Sequence, residues 1–177
     1  MIVNKVLYFH PTSNIIRCGD IIEIKKEGAT LKYGIVVTPD CDIEQKKTRY
    51  IEVVELKKID DSELNLNTDQ KERIKKSNYD SFYYFPSILI DGNLNNDFVA
   101  ILKAKFILEP LYESNKEKYP AVSQKLNYSG KYQFKDKEVQ LVHICAKSNP
   151  YKSDFLQKLY ANNSRVGTPD IKDLWRP

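Results

Sequence analysis

The chain has 177 residues, of which 29% are charged and 41% hydrophobic, and a net charge of +4; this is the balance of one globular domain with a core of its own. No apolar run approaches the ~20 residues of a membrane span, and no charged-then-apolar signal segment follows Met1, so a cytoplasmic protein with no membrane contact is expected. The mild positive charge permits a nucleic-acid partner without arguing for one, and the three widely spaced cysteines (Cys18, Cys41, Cys145) read as reduced thiols.

Met1 to Phe9 reads as a short strand or lead-in that ends at His10-Pro11. Cys18-Gly19-Asp20 is a turn, and Ile21 to Ile24 a strand. Glu27-Gly28-Ala29 forms a hairpin loop, because glycine supplies the positive φ such turns need. Leu31 to Val37 returns as the next strand. Its β-branched run Ile35-Val36-Val37 is continuous and therefore buried on both faces. Pro39 has no backbone donor and ends that strand in a turn running to Lys47, and a third strand covers Arg49 to Leu56. Three strands joined by short loops argue for an antiparallel meander, which a small barrel closes without exposed edges.

Beyond residue 60 the chain becomes polar, and Thr68 to Ile74 is a short capped surface helix. The aromatic segment Ser81 to Ile90 supplies one or two core strands, with a turn at Asp91-Gly92-Asn93. Phe98 to Leu108 is strand-like, although periodicity alone leaves a helix open. Glu117 to Lys137 is an irregular, tyrosine-studded excursion with a hairpin around Ser129-Gly130, and Val139 to Cys145 is a strand. Asn149-Pro150 caps a final helix, on which Tyr151, Phe155 and Leu159, joined by Leu156 and Tyr160, make one apolar face. Gly167 and Pro169 stop it. No repeat or linker divides the chain. A single domain over 1–177 is expected, with a barrel-forming meander at 1–60, further strands and insertions at 61–148, and a C-terminal helix at 149–166.

The densest chemistry lies in Thr38-Pro39-Asp40-Cys41-Asp42. Two carboxylates and a thiol at the end of a rigid strand suit acid–base or nucleophilic work, with Cys41 as nucleophile. The same residues also make an ordinary acidic turn that caps local backbone donors. His143 and Cys145, two apart on a strand, would share a face, so His143 offers either a base for Cys41 or, with Cys145, half of a zinc set that Cys41 or Cys18 must complete. Zinc sites are normally announced by two close pairs and the chain has one, so no metal and no cofactor is expected. Lys25-Lys26, Lys46-Lys47-Thr48-Arg49 and Lys57-Lys58 fall near one another in the meander. With twelve tyrosines as stacking platforms they offer a nucleic-acid surface, although the glutamates among them also fit solvated edge protection. Arg165 to Asp170 reads as a helix stop, and Trp175 as an anchor for the tail.

The order Gly19-Asp20-Ile21, Gly34-Ile-Val-Val-Thr-Pro-Asp40 and Tyr50-Ile-Glu-Val-Val54 resembles the opening of the MazF/PemK-like barrel family over roughly the first sixty residues. That resemblance implies an SH3-like barrel and ribonuclease toxins. The family carries an arginine just before the second strand, where this chain has Lys32-Tyr33. It carries Thr or Ser on the third strand, where this chain has Val53-Val54-Glu55. Thr38-Pro-Asp-Cys-Asp-Ile43, Phe85-Pro86, Asp97-Phe98 and Arg165-Val-Gly-Thr-Pro169 also resemble a set of small uncharacterised bacterial and phage proteins found in mobile or defence-related gene neighbourhoods.

The expected fold is therefore α+β, mostly β: a partly closed, antiparallel, SH3-like barrel with a docked C-terminal helix. The expected function is a non-catalytic binding component of a bacterial or phage defence or toxin-related system. Its partner is a protein or RNA/DNA, held by Thr38, Asp40, Lys46, Lys47, Arg49 and Tyr50, with homodimerisation open. The alternative is an enzyme, either a diverged endoribonuclease or a hydrolase built on Asp42, Cys41 and His143. An enzyme of that kind must bring Asp42, Cys41, Arg49 and His143 within about 8 Å of each other, since a catalytic constellation meets at one reacting atom.

Overall fold

The computed structural model describes residues 8–9, 14–44, 48, 50–77, 79–90, 93–111, 126–147 and 151–164. Within them run β1 (Tyr8–Phe9), β2 (Asp20–Lys26), β3 (Ala29–Val36), α1 (Asp40–Glu44), β4 (Ile51–Lys58), α2 (Thr68–Lys75), β5 (Phe82–Ile90), β6 (Asn93–Leu111), β7 (Lys131–Phe134), β8 (Lys137–Lys147) and α3 (Tyr151–Ser164). Every strand pairing is antiparallel.

The meander of β2, β3 and β4 forms as its turn signals require. Glu27 (φ 51°) and Gly28 (φ 83°) both take positive φ in the two-residue link from β2 to β3, the backbone that matches the twist of a tight hairpin. β6 then pairs with β4, β7 with β6 and with β8, and β8 returns to β2, so six strands close into a barrel. Closure is complete where the sequence pointed only to a partly closed barrel. The first sixty residues supply three staves, and the rest come from β6, β7 and β8.

Alternation along the strands sorts the apolar residues into two cores. Ile22, Ile24, Val36, Val53, Leu108, Tyr132, Val139 and Leu141 pack together as the barrel interior. Gly34 shares that inward face, and a Cβ there would meet Val53 Cγ1 at 2.3 Å, so only glycine lets β3 and β4 approach. On the outer face Ile21, Ile35, Val54, Phe85 and Phe98 pack with Phe155 and Leu159 of α3. β3 and β4 thus bury both faces, which is why Ile35-Val36-Val37 and Val53-Val54 are unbroken apolar runs. A smaller cluster of Ile59, Ile74 and Val99 seats α2, whose Asn67 and Gln70 form a reciprocal capping box.

Three local readings differ from the structure. Between Pro39 and Glu44 the chain forms the short helix α1 rather than an open turn. The excursion before β8 contains β7, whose hairpin with β8 turns at Lys135-Asp136 and not at Ser129-Gly130. Tyr160 is 54% exposed and lies off the face of α3 that carries Phe155 and Leu159; Asn162 is buried in its place and donates to the Asp80 carbonyl. Met1 to Leu7, His10-Pro11, Asn149-Pro150, Arg165 to Asp170 and Trp175 lie outside the described residues. No helix among the described residues is long and apolar enough to cross a membrane.

Candidate functional site

Helix α1 plugs one end of the barrel. Ile43 enters the interior core, and the amides of Asp42 and Ile43 both donate to the Pro39 carbonyl. Thr38 is buried, and its Oγ1 accepts the Glu52 amide at 2.7 Å, so it carries the β3–β4 ladder one step past the strand. Asp40 Oδ1 accepts the Cys18 amide at 2.7 Å, and its Oδ2 lies 3.7 Å from Lys152 Nζ. These two residues tie the helix end to the barrel. Cys41 faces solvent with Sγ 3.7 Å from Asp42 Oδ1. Tyr50 is 43% exposed, joined to α1 through Thr48, whose amide donates to Asp42 O and whose hydroxyl donates to Tyr50 O. Tyr160 of α3 lies close enough to feel Asp42 and Glu52. Its phenol is raised above the ordinary value by partial burial first and then by Cys18, Glu52 and Asp42. Lys46, Lys47 and Arg49 lie outside the described residues.

His143 belongs to a different cluster. Its ring packs against Tyr128 with centroids 5.0 Å apart, and its Nε2 lies 3.6 Å from Asp20 Oδ1, buried and without a hydrogen bond. Asp20 is 1% exposed, and its Oδ2 accepts from the Arg17 amide at 2.8 Å and from the Tyr128 hydroxyl at 2.6 Å. Burial, and then the Asp20 charge, hold the Tyr128 phenol far above its usual range. Among the described residues, His143 and Cys41 share no hydrogen bond, ion pair or ring contact.

A one-residue bulge separates His143 from Cys145. Ile21 pairs with Cys145 and Ile22 with His143, so Ile144 is the extra residue. The strand turns over there. Cys145 joins the outer core under α3, while His143 meets Tyr128, which packs on the interior core. The shared face expected from strand alternation is absent for this reason. No group of three or more His, Cys, Asp or Glu residues suited to a metal ion occurs among the described residues.

The thiols differ sharply in environment. Burial pushes Cys18 up to about 11 and Cys145 up to about 12, whereas Cys41 is exposed. A thiol reagent at pH 8 is therefore expected to modify one group, Cys41, in the native protein and all three after unfolding. Two promptly reacting thiols in the folded state would contradict the assignment.

Lys147, at the end of β8, is the least expected of the buried residues. It is 3% exposed, with Nζ 4.2 Å from the Phe85 ring centroid, 5.0 Å from Tyr83 and 6.0 Å from Tyr151. Desolvation lowers its amine to about 8, against the pull of Asp154 and Cys145. Between pH 8 and the ordinary lysine range the unfolded chain binds the proton and the folded chain does not, so this group's contribution to stability rises with pH. Below pH 8 the charged amine destabilises the fold, and above about 10.5 the effect is gone. Lys147→Met is expected to stabilise the protein at pH 7 by roughly 2–3 kcal/mol, with the gain over wild type shrinking as pH rises from 8 to 10.5. Urea unfolding of both proteins across that range isolates this lysine from the cysteines and tyrosines that titrate beside it. A pH-independent gap would show that the aromatic rings and Asp154 already compensate its burial.

Sequence reading reached His143 but not Asp20 or Tyr128. Asp20 reads as a turn residue, and its partner is 108 positions away. The fold and this barrel end together define a small closed antiparallel barrel with a docked helix and a helical plug. No family model matches the chain, and no curated protein is similar to it.

Proposed function

We propose that the protein is a non-catalytic binding component that grips a protein partner through the α1 face. The observation that carries this reading is the pair of exposed tyrosines near α1: Tyr50, joined to it through Thr48, and Tyr160, within electrostatic reach of Asp42. Tyrosine provides a large, stiff contact area with a polar tip and is enriched at interface centres. Thr38 and Asp40, by contrast, are engaged in holding α1 in place and would shape the face from beneath. The sequence from Asp42 to Glu52 is mixed in charge, with Lys46, Lys47 and Arg49 between the carboxylates of Asp42, Glu44 and Glu52. Such a mixture suits a protein surface better than a phosphate backbone, which asks for one continuous sign.

The resemblance of the Thr38-to-Ile43 motif to small bacterial and phage proteins supports a place in a defence or toxin-related system, and the barrel is compatible with an SH3-like, MazF/PemK-like type. Three free thiols fit a reducing, cytoplasmic setting. The test is quantitative capture from a bacterial lysate with wild type, with Tyr50→Ala/Tyr160→Ala, and with Val142→Ala as a control on another strand. One protein enriched by wild type and the control, but about tenfold less by the double variant, is the expected result. Capture that survives the double variant, or that disappears on nuclease treatment, overturns it.

A further inference from the structure

β6 is flanked by β4 on one side. On the other, β5 pairs with it as far as Ile101 and β7 from Glu109 to Leu111. The Leu102 amide is taken by the Ser81 carbonyl. Between these contacts, among the described residues, no strand pairs with Lys103 to Ile107 on that side. The gap has a structural cause. β7 is four residues long and turns away after Phe134, while β6 bends sharply where its register with β4 shifts between Val54 and Leu56. The edge borders a groove of about 340 Å³ lined by Phe106, Ile107, Glu109, Gln133, Phe134 and Lys135. The rings of Phe106 and Phe134 meet edge-on at 5.0 Å, and Ile107 is 45% exposed.

Charge selects among occupants. Lys103, Lys105 and Lys135 are exposed and in no ion pair among the described residues, and Glu109 is the single carboxylate lining the groove. Lysines along an open edge oppose pairing with a second copy of the same edge, and they favour a strand of the opposite charge.

We propose that the Lys103–Ile107 edge and the adjoining groove receive an extended, acidic segment of a partner protein as an added strand, with one apolar side chain of that segment resting on Phe106 and Phe134. Backbone hydrogen bonds supply the attraction, and the lysines and the groove supply the selectivity. This surface adjoins the α1 face, since Ile107 pairs with Glu52 across β6 and β4, but it rests on the unpaired edge and not on the tyrosines, so neither reading depends on the other.

The test uses the full chain and two labelled peptides, one alternating Glu and Val and one alternating Lys and Val. Binding is followed by fluorescence anisotropy, and amide exchange is measured with and without the peptide. The acidic peptide is expected to bind at least ~10-fold more tightly than the basic one and to protect those amides of Lys103 to Ile107 that point away from β4. Lys103→Glu/Lys105→Glu, at two exposed positions where the melting midpoint should be unchanged, is expected to reverse the preference. Equal binding of both peptides, protection elsewhere, or indifference to the double variant overturns the proposal. So does slow exchange, in the free chain, of the amides that point away from β4, which would mean that another segment of the chain or a second copy already fills the edge.

Discussion

Asp20→Ala is expected to destabilise the protein by about 3–4 kcal/mol, because it removes a buried acceptor and strands its donors. The carboxylate is 1% exposed and takes hydrogen bonds from the Arg17 amide and the Tyr128 hydroxyl. Neither donor has another described partner, and His143 Nε2 faces the other carboxylate oxygen. The loss also spreads. Asp20 fixes the segment before β2, where Ile16 donates to Leu126 and Tyr128 donates to Asn14. Asp20→Asn keeps an acceptor of the same shape and is expected to cost about half as much. Tyr128→Phe should cost about 1–2 kcal/mol, and the double variant less than the sum, since both remove one interaction. Urea denaturation of wild type and the four variants measures this. A cost below about 1 kcal/mol for Asp20→Ala would mean that water replaces the carboxylate and that the cluster is dispensable.

The second large effect is Phe155→Ala, expected to cost about 3–5 kcal/mol. Phe155 is fully buried, and its ring meets Tyr83 at 5.2 Å and Phe85 at 5.4 Å, both edge-on. The substitution leaves a cavity between α3 and the outer face of the barrel that the two remaining stiff rings, Tyr83 and Phe85, cannot refill. Tyr83 also donates to Asp154 at 2.7 Å, so losing the ring loosens a polar tie of the same helix. Phe155→Leu, which refills part of the volume, should recover about half the loss. A thermal midpoint for the alanine variant within a few degrees of wild type would show that α3 is docked by its other contacts.

Much of the architecture was legible because its causes are local. Glu27-Gly28 demands a tight hairpin, the unbroken Ile35-Val36-Val37 demands two covered faces, and the spacing of Phe155 and Leu159 demands a docked helix. All three hold in the structure. The closing strand was recognisable as a strand, but its partner was not: β8 pairs with β2 across most of the chain, and such pairing leaves no mark in either segment. The candidate site was legible in part. Thr38, Asp40 and Tyr50 do lie around one barrel end, but two of them turn out to hold the structure together. The bulge at Ile144 separates His143 from Cys145 through one inserted residue, and a strand pattern gives no sign of it. Lys147 lies two residues past the strand that the sequence marks at Val139 to Cys145, and nothing nearby in sequence announces that Phe85 and Tyr83 will pack against its amine.

The pairing of β8 with β2 also orders events in time. A ribosome releases β2, β3 and β4 first, as three staves whose inward faces are largely apolar and whose outer strand edges are unpaired. Synthesis at 5–20 residues per second then takes on the order of ten seconds before Lys147 is available to complete the ring. Throughout that interval the nascent chain exposes the kind of sticky edge that the finished barrel hides. Shelter by a chaperone matters most there, and a pause in translation ahead of β7 would lengthen the exposure, whereas one after Lys147 would not.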